Sequence, residues 1–588
     1  RWHVVTARRD GRWSNTWKRY TGVFTGTAMR LYIDGEMVAE REVGRVHVNT
    51  TADPVSIGYN SAIPGRRFAG SIRTARLWDR ALLPDDVAAG TTNAAPVLDV
   101  LIDGSTIGPI EQRSGTFFAY GGALEPPGVS NDDNFCMNGI VNPDRTVKPA
   151  MATIRHSHQP IDVISHAERA GEIKLVNRYD FTNPAALLRG EYVITEDGAE
   201  IARGELPSPD IEPGTTRRMP TPLEWVGPRT PGLEYRVRFE WRYASDTAYA
   251  EAGHLVAWDE FPLGSPPANA SDAAHGNDRR VVVTDSDNSI ELAAGNLRVQ
   301  IDRASGLVTS MATGGREHLT GPLRPNFWRA PVDNDRGNKM PSRLGIWREV
   351  GASYEARDVR VQRGDDGTVV VRVEAVLRRI NAPMTLAYTM SPSGSLHVEM
   401  AMDAAPDRAP GEMPRFGLRA TLIDDMDHLT WFGPGPEESY WDRNNLPVGR
   451  WSSTVAEQYF AYSEPQENGN HVSTRWFSLA DSRGAGLAFL ADPARTSVPD
   501  QALSFSALPY SIEQLEHAKY THELDADGQT HLLIDAAQTG VGGDNSWGAR
   551  AKPEFTLRPN RDHRLAFRIA PTTTAGDVLQ LRQAERKR

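Results

Sequence analysis

Short segments in which apolar and polar residues alternate run through most of the chain, and they constrain its fold more than any other feature. Clear examples, bounded by Gly, Pro or Asp turns, are residues 31–33, 173–179, 235–241 and 369–373. A period of two is typical of half-buried β-strands, and many short strands separated by turns are typical of β-sandwiches. Only residues 84–89 and 511–518 favour short helices. The sequence therefore predicts a mostly-β protein.

The net charge of −11 limits what the protein can bind. Proteins that bind nucleic acids or anionic membranes concentrate positive charge to neutralise phosphates. We therefore expect no nucleic-acid and no membrane partner, and an uncharged ligand such as a sugar fits the composition better. No stretch approaches the roughly 18 consecutive apolar residues that mark a membrane span. The single cysteine, Cys136, cannot form a disulfide within the chain.

Four ordered motifs combine aromatic, acidic and amide residues in the second half of the chain. They are FWRAPVDNDRGNK at 327–339, MPRFGLR at 413–419, the segment 431–476 and GVGGDNSWG at 540–548. These motifs resemble the C-terminal portion of the large multi-domain bacterial β-galactosidases of glycoside hydrolase family 2. The resemblance covers roughly residues 115–570, and it implies a large β supersandwich in the second half of the chain.

The predicted domains follow from motifs and composition. Residues 1–93 resemble the later strands of a laminin-G or concanavalin-like jelly roll, with LYIDG at 31–35 and a closing strand at 68–72. Residues 94–160 resemble the C-terminal end of the family's (β/α)₈ barrel. The other predicted regions are an immunoglobulin-like β-sandwich at 161–262, a linker at 263–280, the supersandwich at 281–570 and a tail at 571–588. We expect the natural chain to continue before Arg1, where most of the barrel would lie.

Paired acids are the first candidates for catalysis, because a retaining glycosidase uses two carboxyl groups about 5 to 5.5 Å apart. Glu437 and Glu438 are adjacent, and neighbouring side chains in extended structure point to opposite faces. By resemblance, Glu438 is a framework residue. No residue matches either catalytic glutamate of the family. We therefore predict no catalytic residue in this chain and no β-galactosidase activity of the chain by itself.

Asp333, Asn334 and Asp335 lie in a polar segment where solvated turn acids are the usual outcome. The resemblance implies instead a mobile loop that borders the active site. A calcium loop of the EF-hand type is excluded, because Leu344 stands where that loop needs a bidentate Glu. Residues 540–544 lack the Lys and Ser or Thr of a phosphate-binding loop, so they predict a sharp turn.

Trp547 follows this glycine-rich turn. An exposed indole can stack on the apolar face of a pyranose while its N–H donates a hydrogen bond, whereas burial in the core is the alternative role of a Trp. The resemblance implies the first role, an aromatic platform at the mouth of the active site. Trp547 is therefore one predicted substrate-binding residue, and the resemblance implies that Asn138 is the other.

Asn131, Phe135 and Asn138 form a group that could bind a cation, because amide and carbonyl oxygens suit hard metal ions. Turn capping is the alternative role of Asn-rich segments. The resemblance implies that Asn131 contacts Mg²⁺, and that the Phe135 carbonyl and the Asn138 amide oxygen bind Na⁺ beside the galactose. The segment 121–128 departs from the family, because GGALEPPG replaces the usual GGDFGD. A Ca²⁺ ion in the jelly roll is a further predicted cofactor.

Asp442, Arg443 and the polar run 465–470 are surrounded by aromatic residues. A buried polar group without a partner costs about 1–3 kcal/mol. We therefore predict that these residues form a satisfied hydrogen-bond network that fixes the long connections of the domain.

The leading hypothesis is that the chain is part of a retaining β-galactosidase, which hydrolyses terminal non-reducing β-D-galactose residues of small molecules or glycans through a galactosyl-enzyme. The alternatives are a non-catalytic carbohydrate-binding protein and a structural assembly module. β-Glucuronidases and β-mannosidases of the same family lack the large C-terminal domain, which favours a galactoside substrate. A homo-oligomer is left open.

Overall fold

The computed structural model describes residues 19–43, 74–77, 87, 98–101, 119–497, 502–573 and 578, with internal gaps at 26, 124, 127, 168–170, 222–228, 265–279, 405–408, 410 and 546. The chain divides into two compact units, residues 1–146 and residues 147–588. Strands dominate the described part of both units, which confirms the predicted mostly-β fold class. None of the described helices is long and apolar enough to cross a membrane.

The first unit contains a three-stranded antiparallel sheet, a separate antiparallel strand pair and a 3₁₀ turn at Asp133–Met137. The strands are β1 (Tyr20–Phe24), β2 (Ala28–Ile33), β3 (Glu36–Glu42), β4 (Thr74–Leu77) and β5 (Leu98–Leu101). Asp34 and Gly35, with φ of 52° and 94°, join β2 to β3. Positive φ at both turn residues matches the twist of a two-residue hairpin, as the LYIDG motif predicts.

Several sequence-based predictions concern residues outside the described part of the chain. They include most of the jelly roll with its closing strand at 68–72, most of the helix at 84–89, most of the linker and nearly all of the tail. Two single residues of these regions are described. Val87 packs with Val23 and Tyr32, and Val578 is buried in a small cluster with Phe432 and Trp476.

The second unit begins with a helix and two facing antiparallel sheets. The elements are α1 (Ala150–Ser157), β6 (Ile161–Ala167), β7 (Glu172–Asn177), β8 (Leu188–Glu196), β9 (Ala199–Glu205), β10 (Thr216–Pro220), β11 (Tyr235–Tyr243) and β12 (Leu255–Leu263). The sheet orders are β10-β7-β6 and β12-β11-β8-β9, and one apolar core joins them. Trp241 fills this core only because position 190 is Gly, since a Cβ at Gly190 would lie 2.4 Å from the indole ring.

The rest of the unit is a large domain, which we call the two-sheet domain. Its elements are β13 (Val282–Asp285), β14 (Ser289–Ala294), β15 (Leu297–Asp302), β16 (Val308–Thr313), β17 (Arg316–Glu317), β18 (Leu319–Asn326), α2 (Asp333–Gly337), α3 (Met340–Arg343), α4 (Ile346–Val350), β19 (Tyr354–Arg363), β20 (Val369–Leu377), β21 (Ala382–Met390), β22 (Leu396–Met402), β23 (Arg415–Ile423), β24 (His428–Pro434), β25 (Val448–Thr454), α5 (Val455–Gln458), β26 (His471–Thr474), β27 (Trp476–Ala480), β28 (Gly486–Ala491), β29 (Leu503–Leu508), α6 (Ile512–His517), β30 (Gln529–Gln538) and β31 (His563–Thr572).

Two antiparallel sheets share the core of this domain. One has the order β13-β14-β15-β16-β18-β23-β30-β29-β26, with β17 beside β16, and the other has the order β19-β20-β21-β22-β31-β28-β27-β24-β25. Apolar side chains from both sheets, such as Leu386 and Leu418, belong to one continuous core. The strands β23, β26, β29 and β30 come from distant parts of the sequence, so the first sheet brings together segments that local patterns cannot connect.

Strands β23, β29 and β30 carry two different faces. Leu418, Leu422, Ile534 and Phe505 point into the core, while the alternate positions carry many polar side chains. We call the second side the polar face and define it by Arg419, Thr421, His531, Asp535, Ser504 and Ser506. A period of two separates the faces because successive strand residues point in opposite directions. The polar face adjoins the site described below.

The smaller two-sheet region at 161–263 contacts strands of the nine-stranded sheet. Arg475 donates two hydrogen bonds to Glu234, at 2.9 and 2.7 Å. Along β25, the N–H of Arg450 donates to the Gly198 carbonyl at 3.2 Å and the N–H of Val448 donates to Glu260 at 3.1 Å. A Cβ at Gly198 would lie 2.8 Å from the Arg450 nitrogen, so only Gly permits this approach.

Candidate functional site

The candidate site is the region around the 540–548 loop, which we call the Trp547 loop. The Trp547 loop contacts helix α2 and Asp442, and α2 in turn contacts the polar run 465–470. All of these segments lie in the two-sheet domain. These segments are far apart in sequence. Side-chain hydrogen bonds to backbone groups hold them together, so the geometry of the site depends on a few polar residues.

Arg329 is the central residue of this arrangement, and it is fully buried. Its Nε and Nη2 donate to the Asp335 carboxylate at 3.0 and 2.9 Å, and its remaining N–H groups donate to Gln538 Oε1 and to the Thr539 and Gly540 carbonyls. Burial opposes the positive charge, but the negative charges of Asp335, Glu467 and Asp442 together outweigh it and hold the pKa of Arg329 above its ordinary value. All five guanidinium donors are therefore used, which fixes the start of the Trp547 loop against α2.

Asp333, Asn334 and Asp335, which the resemblance implies to be a mobile active-site loop, begin helix α2, so neither a loop nor a solvated turn forms at these three residues. Asp335 is 5% exposed and its carboxylate also accepts the Val332 N–H at 3.1 Å. A carboxylate at the start of a helix accepts hydrogen bonds from N–H groups that have no partner in the helix. Asp335 is thus a structural acid, whereas the Asp333 side chain is 56% exposed.

Asn334 and Asp442 form hydrogen bonds with the next part of the loop. The Asn334 side chain donates to the Val541 carbonyl at 3.1 Å. The Asp442 carboxylate accepts the N–H groups of Val541 and Gly542 at 3.1 and 2.7 Å. A Cβ at Gly540 would lie 2.5 Å from Asp442 Oδ2, so a side chain there would push the carboxylate away. Glycine in this turn therefore allows the Asp442 carboxylate to lie close to the loop backbone.

Trp547 projects from the far end of this loop. Its side chain is 79% exposed, which shows that burial in the core, the alternative drawn from the sequence, is wrong. Asn545 Oδ1 accepts the Trp547 N–H at 2.9 Å. The loop lies against the end of α2, because a Cβ at Gly548 would lie 3.7 Å from the Gly337 carbonyl. An exposed indole on a loop held from below can present a flat face to a ligand.

Charged residues surround the N-terminal end of α2. Gln466 accepts the Asp333 N–H at 3.2 Å and donates to the Asp333 carboxylate at 3.3 Å. Arg336 is 2.9 Å from Glu464. Burial lowers the pKa of Lys148 below its ordinary value, while the negative charge of Asp333 acts in the opposite direction. The segment before α1 therefore lies within electrostatic reach of the candidate site.

A polar network is present at Asp442, Arg443 and 465–470, as predicted, but it is not fully satisfied, because Arg443 Nε and Asn470 Oδ1 are buried without a hydrogen bond among the described residues. Glu438 accepts hydrogen bonds from Arg443, from the Tyr462 hydroxyl at 2.6 Å and from the Gly469 N–H at 2.6 Å. Glu438 is buried and Glu437 is exposed, as expected for neighbours in extended structure. Glu438 therefore acts as a framework residue, and the two acids do not form a catalytic pair.

A second buried charge cluster lies below this network. Arg415 donates to Glu467 at 2.6 Å and its Nε is 3.1 Å from the Asp535 carboxylate. All three side chains are buried. Burial raises the pKa of Asp535 to about 8, because Arg415 lowers it less and Glu467 raises it further. A Cβ at Gly417 would lie 1.9 Å from Asp535 Oδ1, so this Gly makes the space that the carboxyl group occupies.

Replacing Asp442 by Ala should loosen the Trp547 loop. The N–H groups of Val541 and Gly542 would lose their acceptors, at a cost of about 1–3 kcal/mol for hydrogen bonds to a charged group. We expect faster amide hydrogen exchange at these two residues and in the rest of the loop. Asp365→Ala, at an exposed position between β19 and β20, is the matched control. Equal exchange in the two variants would contradict this role of Asp442.

The predicted cation ligands lie in the first unit, around its 3₁₀ turn. Asn131 caps that turn, donating to the Val129 carbonyl at 3.0 Å and accepting the Asp133 N–H at 2.9 Å. The Phe135 carbonyl accepts the Asn138 N–H at 3.2 Å, and Asn138 is exposed. Neutral amide and carbonyl oxygens fit a monovalent cation, whereas Mg²⁺ sites usually include carboxylates. Among the described residues, no group of three or more His, Cys, Asp or Glu is placed to hold a metal ion.

Sequence reasoning did not identify Arg329, Arg415 or Asp535 as members of the site. One signal for Arg329 was present, because it lies in the apolar stretch Phe327, Trp328 and Ala330. A buried Arg requires a carboxylate partner. Arg415, beside Phe416 in the motif at 413–419, and Asp535, between Ile534 and Ala536, carry the same signal, but their partners lie in segments that are distant in sequence.

Three family models match separate parts of the chain. Residues 293–569 match the β-galactosidase small chain, residues 173–264 match domain 4 of β-galactosidase, and residues 2–88 match the concanavalin A-like lectin and glucanase superfamily. Both resemblances inferred from the motifs are thereby confirmed, to β-galactosidases in the later part of the chain and to a concanavalin-like fold in its N-terminal region.

Named relatives agree with these matches. The β-galactosidase of Priestia megaterium is 30% identical over 459 residues, which are 78% of this chain and 43% of that protein. The β-galactosidase of Streptococcus thermophilus is 30% identical over 458 residues, 77% of this chain and 42% of that protein. Beta-galactosidase 2 of Enterobacter cloacae is 30% identical over 462 residues, 76% of this chain and 42% of that protein. The chain therefore spans less than half the length of these relatives.

Proposed function

The chain is a homologue of β-galactosidases over about 78% of its length, and from this premise we propose that it forms part of a retaining β-galactosidase. The proposed reaction is hydrolysis of terminal non-reducing β-D-galactose residues. Its substrates would be small β-galactosides or glycans that end in galactose. In this proposal the chain provides a wall of the active site, and both catalytic carboxyl groups come from other residues of the enzyme.

The observation that carries the proposal is the exposed indole of Trp547 on a firmly held loop. Arg329 and Asp442 bind the backbone of that loop at three successive residues, 540–542. A rigid aromatic platform loses little conformational freedom when a sugar stacks on it. Trp547 would contact the group that leaves from the galactose, and α2 would form the adjacent rim with Asp333 at its exposed end.

The chemistry assigned to the complete enzyme is double displacement. One carboxyl group protonates the leaving oxygen while the other attacks the anomeric carbon, and water then releases galactose. Two acids at the candidate site do not suit these roles. Asp335 and Glu438 are buried and bonded to Arg329 and Arg443. These residues shape the site instead of reacting.

A sodium ion is the cofactor that the described residues fit best. The Phe135 carbonyl and the Asn138 amide oxygen would hold it, and when bound it would orient a sugar hydroxyl through its positive charge. The side-chain nitrogen and oxygen of Asn131 both form hydrogen bonds in this turn. Asn131 would therefore offer Mg²⁺ only its one amide oxygen, which already accepts a hydrogen bond. Mg²⁺ and the Ca²⁺ proposed for the jelly roll remain proposals from resemblance, and the described residues add no support for either ion.

Activity measurements on a nitrophenyl β-galactoside test the proposal. We expect no turnover by the purified 588-residue chain. We expect turnover when the same chain is expressed within its complete reading frame. There, Trp547→Ala should raise KM about tenfold, since stacking on an aromatic ring contributes roughly 0.5–1.5 kcal/mol beyond buried area. The exposed Tyr249→Ala, in the smaller two-sheet region, is the matched aromatic control.

Three outcomes would contradict the proposal or a part of it. Turnover by the 588-residue chain that disappears in Trp547→Ala would show that the chain holds its own catalytic groups. An inactive complete protein that binds galactose would favour the alternative of a non-catalytic carbohydrate-binding protein. Unchanged KM in Trp547→Ala, with Tyr249→Ala also unchanged, would remove Trp547 from the substrate-binding surface.

A further inference from the structure

The polar face of the ten-stranded sheet contains a cavity that the proposed reaction does not use. Its volume is about 230 Å³, and α6 covers one side of it. Four strands, β18, β23, β30 and β29, form its floor, and the buried Glu467 also lines it. The cavity is smaller than the pockets of about 300–1,000 Å³ that hold drug-sized ligands, so a ligand that fits it is small.

Strand register explains which side chains face the cavity. Arg324 is paired with Arg419, Arg419 with Leu533, and Leu533 with Ser506, so these four residues form one row across four strands. Residues in register point to the same face of an antiparallel sheet. With strands about 4.8 Å apart, the two guanidinium groups lie at one end of the row and the Ser506 hydroxyl lies about 10 Å from the Arg419 position.

Two groups in this row lack an expected partner. Ser506 is 1% exposed, lines the cavity, and its hydroxyl has no hydrogen bond among the described residues. A buried hydroxyl without a partner costs about 1–3 kcal/mol. The Arg324 side chain has neither an ion pair nor a hydrogen bond within the described part of the chain. Burial lowers the pKa of Arg324 below its ordinary value and the neighbouring charge of Arg419 lowers it further, while the charge of Glu513 acts in the opposite direction.

The other charged groups that line the cavity are already matched. Arg419 donates to Glu513 at 2.7 Å. His531 lies 3.1 Å from Asp527, and the Glu467 carboxylate accepts from Arg415 at 2.6 Å. Among the charged side chains that line the cavity, Arg324 is therefore the one without an ion pair in the described part of the chain. An anionic group fits there because it would pair with that charge and offset the repulsion between the two arginines.

We propose that this cavity binds a small hydroxylated anion, a sugar-sized molecule that carries one carboxylate or phosphate group. The anionic group lies on Arg324 and Arg419, and a ligand hydroxyl bonds to the Ser506 hydroxyl. Tyr510, which also lines the cavity, supplies an aromatic edge to the sugar ring. The site is separate from Trp547, and its occupancy does not depend on the β-galactosidase proposal.

Titration calorimetry on the 588-residue chain tests this site. The probes are glucuronate, glucose 6-phosphate, neutral glucose and inorganic phosphate, so that the carboxylate and phosphate forms are distinguished. None of them is a β-galactoside. We expect saturable binding of glucuronate or glucose 6-phosphate, with glucose and inorganic phosphate at least about tenfold weaker, because neither has both the charge and the hydroxyl groups.

Three variants locate the binding. Arg324→Gln should weaken binding of the anionic sugar about tenfold and flatten its salt dependence. Ser506→Ala should weaken it several-fold. Arg360→Gln, on the other sheet in an exposed ion pair with Asp358, should leave it unchanged. Trp547→Ala should also have no effect, which separates this site from the one assigned to galactosides.

Clear results would overturn the proposal. No saturable binding of either anionic sugar at millimolar concentration would show that the cavity is not a binding site for this class. Equal affinity for inorganic phosphate would indicate an adventitious ion only. Binding that is unchanged in both Arg324→Gln and Ser506→Ala, while each variant keeps the wild-type unfolding midpoint, would place the ligand elsewhere.

Discussion

Arg415→Met should destabilise the two-sheet domain by at least about 3–5 kcal/mol, because it leaves the buried Glu467 carboxylate without its counter-charge. Glu467 loses its hydrogen bond at 2.6 Å, and Asp535, whose carboxyl group is protonated below about pH 8, loses a neighbour 3.1 Å away. Met fills a similar volume, so a cavity contributes little. Thermal unfolding followed by Trp fluorescence should show the midpoint lowered by roughly 10 °C.

The control for this prediction is Arg360→Met. Arg360 pairs with Asp358 at the surface, where the two side chains are 70% and 39% exposed. Exposed ion pairs contribute about 0–1 kcal/mol, so the midpoint should hardly change. Replacing Glu467 and Asp535 by their amides in the Arg415→Met background should recover part of the loss. Equal midpoints for Arg415→Met and Arg360→Met would contradict the assigned role of the buried cluster.

The stability of the same domain should depend on pH through Asp535. Its pKa is about 8 in the folded protein, against about 3.9 in an unfolded chain. Between these values the folded state keeps a proton that the unfolded state has released. The stabilisation present below about pH 4 is therefore lost progressively as pH rises to about 8, with a total on the order of 5 kcal/mol.

Asp535→Asn isolates this effect, since the amide keeps the shape of the side chain but does not titrate. As pH rises within this window, we expect the unfolding free energy of the wild-type protein to fall relative to that of Asp535→Asn, by up to about 1.4 kcal/mol per pH unit. Denaturant unfolding at several pH values measures it. Curves that stay parallel from about pH 4 to pH 8 would mean that Asp535 is ionised throughout.

The sequence predicted individual strands well and their assembly poorly. The alternating runs at 235–241 and 369–373 correspond to β11 and β20, and the helix expected at 511–518 is α6, where Ser511 accepts the Gln514 N–H at 3.1 Å. Local periodicity decides such elements. It does not decide that β23 lies between β18 and β30, because that pairing depends on contacts between distant segments. Helices α2 to α4, of four or five residues each, are too short to show a helical period.

The candidate site was predicted in part for a similar reason. The network around Asp442 followed from the cost of burying polar groups, and Trp547 followed from its place after a turn. The burial of Asp335 could not be read from its polar neighbours, because it depends on Arg329 and on loop carbonyls about 200 residues away. Tertiary partners determine whether an acid in such a segment is solvated or structural.

The contacts along β25 have a consequence for the edge of the nine-stranded sheet. β25 is the outermost strand of its sheet, and an outermost strand offers unpaired N–H and carbonyl groups to any passing chain. Here the N–H groups of Val448 and Arg450, two residues apart, already donate to Glu260 and to the Gly198 carbonyl. The neighbouring sandwich thus occupies the positions at which a foreign strand would add to this edge of the sheet.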